Sequence, residues 1–388
     1  MATTLTATAP TRRIQSIDVL RGIVMVLMAI DHVRVYSGVP AGGPTAGVFF
    51  TRWVTHFCAP AFVFFAGTSA FLLGRKLDHG QLARYLVTRG AVLVALELTL
   101  IHVAWTFTLD FTHLLAGVIW MIGWCMILLA GLVRFSPRAV GTFGVIVIVA
   151  QQVFLFLPRV LPGAVRAASM WLWRFLYLGG EVQIGASGPT IGILYTIVPW
   201  IGVMAAGYAF GAILVREPAE RRRLCLRIGL SATAPYVAFG IVAAFLLPDS
   251  DDGVPKLFQI LNPPKYPASQ AFLLMTLGPT IALLPFAERG TSWFGRLFAT
   301  YGRVPMFYYL LHIPGIHAAA LLVWYMRDRV VHSEWFTSAP YVSVAEPQRW
   351  GLPLLYLVFV IVVAVLYVPC RWYAGVKSRH ATRWLRYL

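Results

Sequence analysis

Charge is what this 388-residue chain has least of. Asp, Glu, Lys and Arg make up 12% of it, about half the roughly 25% usual in a soluble domain. A water-soluble enzyme is excluded on that count. Acids are scarcer still, 15 against 32 Lys and Arg. Cysteine is confined to Cys58, Cys125, Cys225 and Cys370, each single and in or beside an apolar run, which leaves neither a disulfide framework nor a zinc site. No Gly-rich phosphate loop is present, so ATP or NAD chemistry has no support. Residues 1–13 hold no apolar stretch of the kind that opens a signal peptide. Heptads and Gly-X-Y periods are missing too, and at 59% hydrophobic residues the chain is not a disordered one. A polytopic membrane protein remains, in keeping with a mean hydropathy of +0.73.

Runs of about 20 apolar residues cross ~30 Å of hydrocarbon as helices. Ten are present: 14–36, 49–74, 84–107, 113–133, 139–157, 189–214, 224–247, 269–288, 298–325 and 351–372. All are expected to be helical, because lipid offers no partner to exposed backbone polar groups. The expected fold class is therefore an all-α bundle of about ten (10–11) transmembrane helices. The stretch 158–188, interrupted by Pro162 and rich in Trp, reads as interfacial or partly re-entrant, with Trp171 and Trp173 at the membrane surface. With ten spans and the N-terminus inside, Lys and Arg fall about two to one on the inner side, which sets both termini in the cytoplasm. The same bias accounts for the basic excess without nucleic acid. One membrane domain, 14–372, lies between cytoplasmic tails at 1–13 and 373–388.

Ionisable groups inside spans are expensive and mark candidate sites. The first span carries Asp18, Arg21, Asp31 and His32. Asp18 sits three residues before Arg21, close enough to pair. Arg21 and His32 are eleven apart, which returns to nearly the same helix face about 16 Å further along. His32, beside Asp31, is the leading functional candidate; a capping role is the alternative. His56, His102 and His113 fall at similar depth, and no pair has the i,i+4 spacing of a metal-ligand motif, so no metal is expected. In the ninth span Tyr301, Pro305, Tyr308 and His312 share a face, with Arg303 near its inner end. The loop Asn262-Pro263-Pro264-Lys265-Tyr266-Pro267 is stiffened by its prolines and is read as a substrate mouth or a rigid turn. Glu97, mid-span, is expected to be protonated or paired with a cation.

The strings SIDVLRGIVMVLMAIDHVRVY, FFTRWVTHFCAPAFVFFAGTSAFL, PWIGVMAAGYAFG, KYPASQAFLLMTLGP and GRVPMFYYLLH occur in that order along nearly the whole chain. Together they resemble a bacterial family similar to the catalytic domain of heparan-α-glucosaminide N-acetyltransferase. The resemblance implies an integral protein of the bacterial cytoplasmic membrane that carries acetyl groups from cytosolic acetyl-CoA to an acceptor across the bilayer. It also implies a role for the Arg, ten residues, His pattern that Arg21 and His32 match. In the lysosomal relative the catalytic histidine lies in the loop after the first span, where this chain has Gly42 and Gly43. The role therefore falls to His32 or His56.

Acyl transfer from a thioester needs a base, an oxyanion donor and positioning. His32, oriented by Asp31, is read as the base, with His56 or Tyr308 as donor. Arg21, Asp18, Arg303 and Arg75 are the candidates around the acetyl-CoA donor; Lys265, Tyr266, Tyr308 and His312 are those around a sugar or amine acceptor. The competing reading is a proton-coupled transporter or flippase that uses the same ionisable column.

Overall fold

The computed structural model describes residues 15–43, 45–246, 248, 253–288 and 292–379. Residues 1–13, read above as a tail, lie outside these. In chain order the elements are α1 (Gln15–Ser37), α2 (Ala46–Gly74), α3 (His79–Thr106), β1 (His113–Ala116), α4 (Val118–Leu132) and α5 (Pro137–Ala150). They continue with α6 (Val153–Val160), α7 (Gly163–Trp173), β2 (Gly180–Gln183), β3 (Thr190–Ile193), α8 (Val198–Leu214) and α9 (Pro218–Leu246). The last are α10 (Lys256–Ile260), α11 (Gln270–Ala287), α12 (Trp293–Arg303), α13 (Pro305–Asp328) and α14 (Leu352–Arg379).

Among the described residues six helices, α2, α3, α9, α11, α13 and α14, are long and apolar enough to cross a bilayer. The pair α5 and α6, bent by 65°, makes a seventh if it is one span. This is fewer than the ten expected, for identifiable reasons. The segments 113–133 and 189–214 each give their first residues to a strand, leaving helices of 15 and 17 residues. At 1.5 Å per residue these reach about 22–26 Å, short of ~30 Å of hydrocarbon. α1 is 23 residues long, but Asp18, Arg21, Asp31 and Arg34 break its apolar run.

The fold is almost wholly helical, as expected of an all-α bundle, and among the described residues it adds one small sheet, β1-β3-β2, in which β3 runs parallel to β1 and antiparallel to β2. Its backbone groups pair with one another, so the requirement that they be satisfied is met without a helix. The ninth expected span is two helices, because Val304 leaves the helical region immediately before Pro305. A residue preceding proline is biased away from the α conformation, and proline then serves well as the first residue of the next helix. The 158–188 stretch forms α7, which has no buried residue, and then β2; at 11 residues α7 is too short to span.

α1 is the centre of the bundle. It packs along α12 and is walled further by α13, α11, α14 and α2, so its charged groups face protein. The peripheral helices are α9 and α14, only 17% and 22% buried over their apolar windows, against 61% for α11. With little hydrophobic force between helices in lipid, close backbone approach decides the packing. Gly22 lies against the Phe298 carbonyl, where an added Cβ would sit 1.8 Å from the oxygen, and Gly302 stands equally close to the Asp18 carbonyl. Gly22→Ala should therefore push α12 off α1 and lower stability by about 3 kcal/mol, since neither backbone can yield as a side chain would. Thermal unfolding of the detergent-purified variant checks this. An unchanged midpoint would mean that the two helices are not held this closely.

Candidate functional site

The site is organised along α1. Near its Gln15 end a cavity of about 280 Å³ is lined by Arg21, Arg89, Arg303 and Lys377 together with Tyr85, Ser69 and a mostly apolar interior. Arg21 donates from Nη2 to Ser69 Oγ at 2.8 Å, which anchors the guanidinium at the cavity wall. Near the Ser37 end a larger cavity of about 650 Å³ is lined by Asp31, His32, Arg34, Arg52, Glu97, Trp105, Tyr195, Lys265 and Tyr266, among others. Phe62, Val118 and Tyr309 line both. These three side chains are the partition between a basic, apolar-floored cleft and a polar chamber.

His32 is held in the chamber wall by a second imidazole and an indole. Its Nδ1 lies 2.7 Å from His312 Nε2. On the far side of His312, Nδ1 lies 2.7 Å from the Tyr309 carbonyl oxygen and 3.2 Å from that of Tyr308. The chemistry fixes the protons. Carbonyls only accept, so His312 Nδ1 carries a hydrogen and donates. Neutral His312 then presents a bare Nε2, which must accept from His32 Nδ1–H. His32 Nε2 is left as the unprotonated nitrogen, on a residue that lines the chamber. Trp105 packs edge-on against the His32 ring at 4.8 Å, and Tyr308 stacks on His312 at 5.1 Å. The imidazole pair thus has one tautomer and little rotational freedom.

Asp31 does not orient His32 as expected. It accepts from Arg34 Nε at 2.9 Å and lies 3.7 Å from Arg52 Nε, because consecutive helical residues point about 100° apart. Asp31 instead gathers two guanidiniums at the chamber wall. Lys265 sets its ammonium over the Tyr266 and Tyr195 rings at 5.2 and 5.8 Å. At this mouth burial raises the Tyr266 phenol, but Lys265 and Arg52 outweigh it and hold the group below its ordinary value. Negative charge is favoured there.

The other expected residues divide. Lys265 and Tyr266 line the chamber. His56 is buried and lines a side cavity of about 240 Å³ beyond Arg52 and Lys265, with no partner for its Nδ1 among the described residues. Tyr308 and His312 are fully buried behind His32 and line none of these cavities, so they are not at an acceptor surface. Arg303 lines the basic cleft, whereas Arg75 is exposed just past the end of α2. Asp18 is buried where α1 crosses α12. Among the described residues Glu97 meets backbone and not a cation. Its Oε2 accepts from the backbone N–H of Ile119 and Trp120 at 2.9 and 3.1 Å, where it caps the positive end of α4. No group of three or more His, Cys, Asp or Glu able to hold a metal is found among the described residues.

Sequence reasoning passed over Tyr309, one of the three residues common to both cavities. It is one position, hence about 100° of helix, away from Tyr308. Arg52 was legible only as an outside charge, and Ser69 carried no signal at all.

The family model described as Heparan-alpha-glucosaminide N-acetyltransferase, catalytic, matches residues 13–244. No curated protein matches the chain. The matched region holds Arg21, His32, His56 and the Phe62–Val118 side of the partition, while Tyr309 and His312 lie beyond it. On this match over more than half of its length, the chain belongs to the heparan-α-glucosaminide N-acetyltransferase catalytic family.

Proposed function

We propose that the protein is a membrane-embedded acyltransferase that takes an acetyl group from acetyl-CoA on the inner side and passes it to a hydroxyl or amine, most simply of a sugar, on the outer side. The observation that carries this reading is the His32–His312 pair, which leaves one unprotonated imidazole nitrogen on a residue lining a chamber that adjoins a basic cleft. In the cleft, Arg21, Arg89, Arg303 and Lys377 suit the phosphates of coenzyme A, and the apolar floor suits its pantetheine arm. The Tyr195 and Tyr266 rings with Lys265 and Arg52 suit a sugar acceptor in the chamber.

His32 Nε2 takes the proton of the acceptor as its oxygen or nitrogen attacks the thioester carbonyl. The resulting imidazolium is held by His312 Nε2, and the C–S bond breaks to release the thiolate, which regains a proton. Positioning at the Phe62, Val118 and Tyr309 partition lets the two substrates meet from opposite faces. Most of the acceleration in such a site comes from placement and from proton transfer.

The topology follows the charge bias: both termini cytoplasmic, the basic cleft inside and the chamber outside, in a bacterial cytoplasmic membrane. Adding α1, α4, α8 and the bent α5–α6 pair to the six long apolar helices gives ten crossings, the short ones accommodated by local thinning or by the sheet. A single cysteine at Gly43 should then react with an impermeant thiol reagent from outside, and one at Ala219 should not. Outside labelling at 219 would invert the cleft and the chamber.

The donor assignment has its own test. Arg21→Ala should weaken coenzyme A binding by about tenfold or more, the scale of a charge-assisted contact worth about 1.5–3 kcal/mol. His113→Ala, at the exposed start of β1, should leave binding within twofold. Titration calorimetry of the purified variants reads both. Equal losses would remove Arg21 from the donor site.

A further inference from the structure

Two acids line the chamber among the described residues, Asp31 and Glu97. Asp31 is matched by Arg34 and Arg52. Glu97 is 3% exposed, and no Lys, Arg or His of the described residues pairs with it. Its two hydrogen bonds, from the N–H groups of Ile119 and Trp120, both go to Oε2, and no donor among the described residues meets Oε1. Oε1 lies against Gly117, where an added Cβ would stand 2.5 Å from it. Gly117 lines the chamber, and its neighbour Val118 belongs to the partition.

Two N–H groups and the positive end of α4 favour the carboxylate as an anion. A buried anion without a counter-charge is costly. The cations of the chamber are committed elsewhere, Arg34 and Arg52 to Asp31, and Lys265 to the Tyr195 and Tyr266 rings. The missing counter-charge is therefore one that a ligand can bring. We propose that Glu97 is a specificity-determining residue whose Oε1 binds the acceptor as a protonated amine, so that the chamber selects amines over hydroxyls. The inference rests on the reading of the chamber as the acceptor site. Proton arithmetic favours it as well. A hydroxyl gives up one proton on acylation, which His32 takes, whereas an ammonium must give up two. Glu97 Oε1 takes the first and frees the amine to attack. His32 Nε2 takes the second as the C–N bond forms and the C–S bond breaks. The thiolate regains a proton from His32, and Glu97 returns its own to solvent at the mouth.

The test titrates the full chain, in neutral detergent and without any acyl donor, with glucosamine and with glucose, which differ only in the group on carbon 2. Read by calorimetry, glucosamine should bind about tenfold or more tightly than glucose, the scale of a charge-assisted hydrogen bond. In Glu97→Gln the preference should vanish, because the amide oxygen can still cap α4 while the amide NH₂ takes the place of Oε1. Coenzyme A affinity should stay within about threefold. A capping role alone would weaken both sugars alike and leave their ratio unchanged. Equal binding of the two sugars by the unaltered protein, no measurable binding of glucosamine, or a ratio that survives Glu97→Gln would overturn the proposal. If Glu97→Gln does not fold, Gly117→Ala, whose Cβ displaces Oε1, must still lower the ratio at least about threefold; no change would count against Glu97. The ratio is read apart from catalysis. A Glu97-dependent ratio without acetyl transfer would remove the acyltransferase reading and leave this site, whereas transfer to glucosamine with an unchanged KM in Glu97→Gln would do the reverse.

Discussion

His32→Gln is expected to abolish acyl transfer, by about 10²–10⁴-fold, the usual worth of a positioned base, while coenzyme A still binds. The amide keeps a hydrogen bond to His312 but cannot take a proton at neutral pH. Donor binding should survive because His32 lines the chamber, whereas the candidate phosphate ligands line the cleft beyond the partition. Turnover of the purified variant with labelled acetyl-CoA, set beside its coenzyme A affinity, separates the two roles. Substantial turnover in the Gln variant would transfer the base to His56. That histidine lines the neighbouring side cavity and its Nδ1 has no partner among the described residues, so His56→Gln is the necessary companion measurement.

The second large effect is expected at a residue that touches no substrate. His312→Phe should cost on the order of 10²-fold or more in kcat with KM little changed. Without the lone pair on His312 Nε2, nothing holds the His32 hydrogen on Nδ1. The ring then samples the tautomer that points N–H at the acceptor, and the imidazolium formed during transfer loses its partner. His312→Gln should retain activity to within about tenfold, because its amide oxygen can still accept from His32 Nδ1–H. A merely structural role predicts the opposite order, since Phe fills a buried aromatic site better than Gln does. The pH profile is a further readout: freed from His312, His32 should show an altered apparent pKa in the Phe variant and keep it in the Gln variant. Equal damage from both substitutions would contradict the positioning role.

Much of this arrangement was legible in the sequence, and the failures have physical causes. Hydropathy located the membrane helices because a 20-residue apolar run has few other uses. It could not separate His113–Ala116 or Thr190–Ile193 from the helices that follow, since a four-residue stretch is too short for a period of two to be told from one of 3.6. The eleven-residue spacing placed Arg21 and His32 on one face, and both do line cavities, yet different ones. What spacing cannot supply is a partner from elsewhere. His32 and His312 are 280 positions apart, and only the packing of α13 on α1 joins them. Asp31 was assigned to His32 from adjacency, where helix geometry favours residues three and four apart, such as Arg34. Tyr309 lies one residue off the stripe of shared spacing through Tyr301, Tyr308 and His312, so periodicity carried no signal for it.

The central claim is that donor and acceptor enter from opposite sides and react at the Phe62, Val118 and Tyr309 partition. Sidedness of transfer in proteoliposomes of known orientation measures it directly, with labelled acetyl-CoA supplied only at the face bearing the α1 N-terminus and glucosamine only at the other. The account predicts labelled N-acetylglucosamine in the acceptor compartment, free coenzyme A in the donor compartment, and neither in the His32→Gln protein. Passage of acetyl-CoA or glucosamine across the bilayer without a new covalent bond would contradict it and make the protein a transporter.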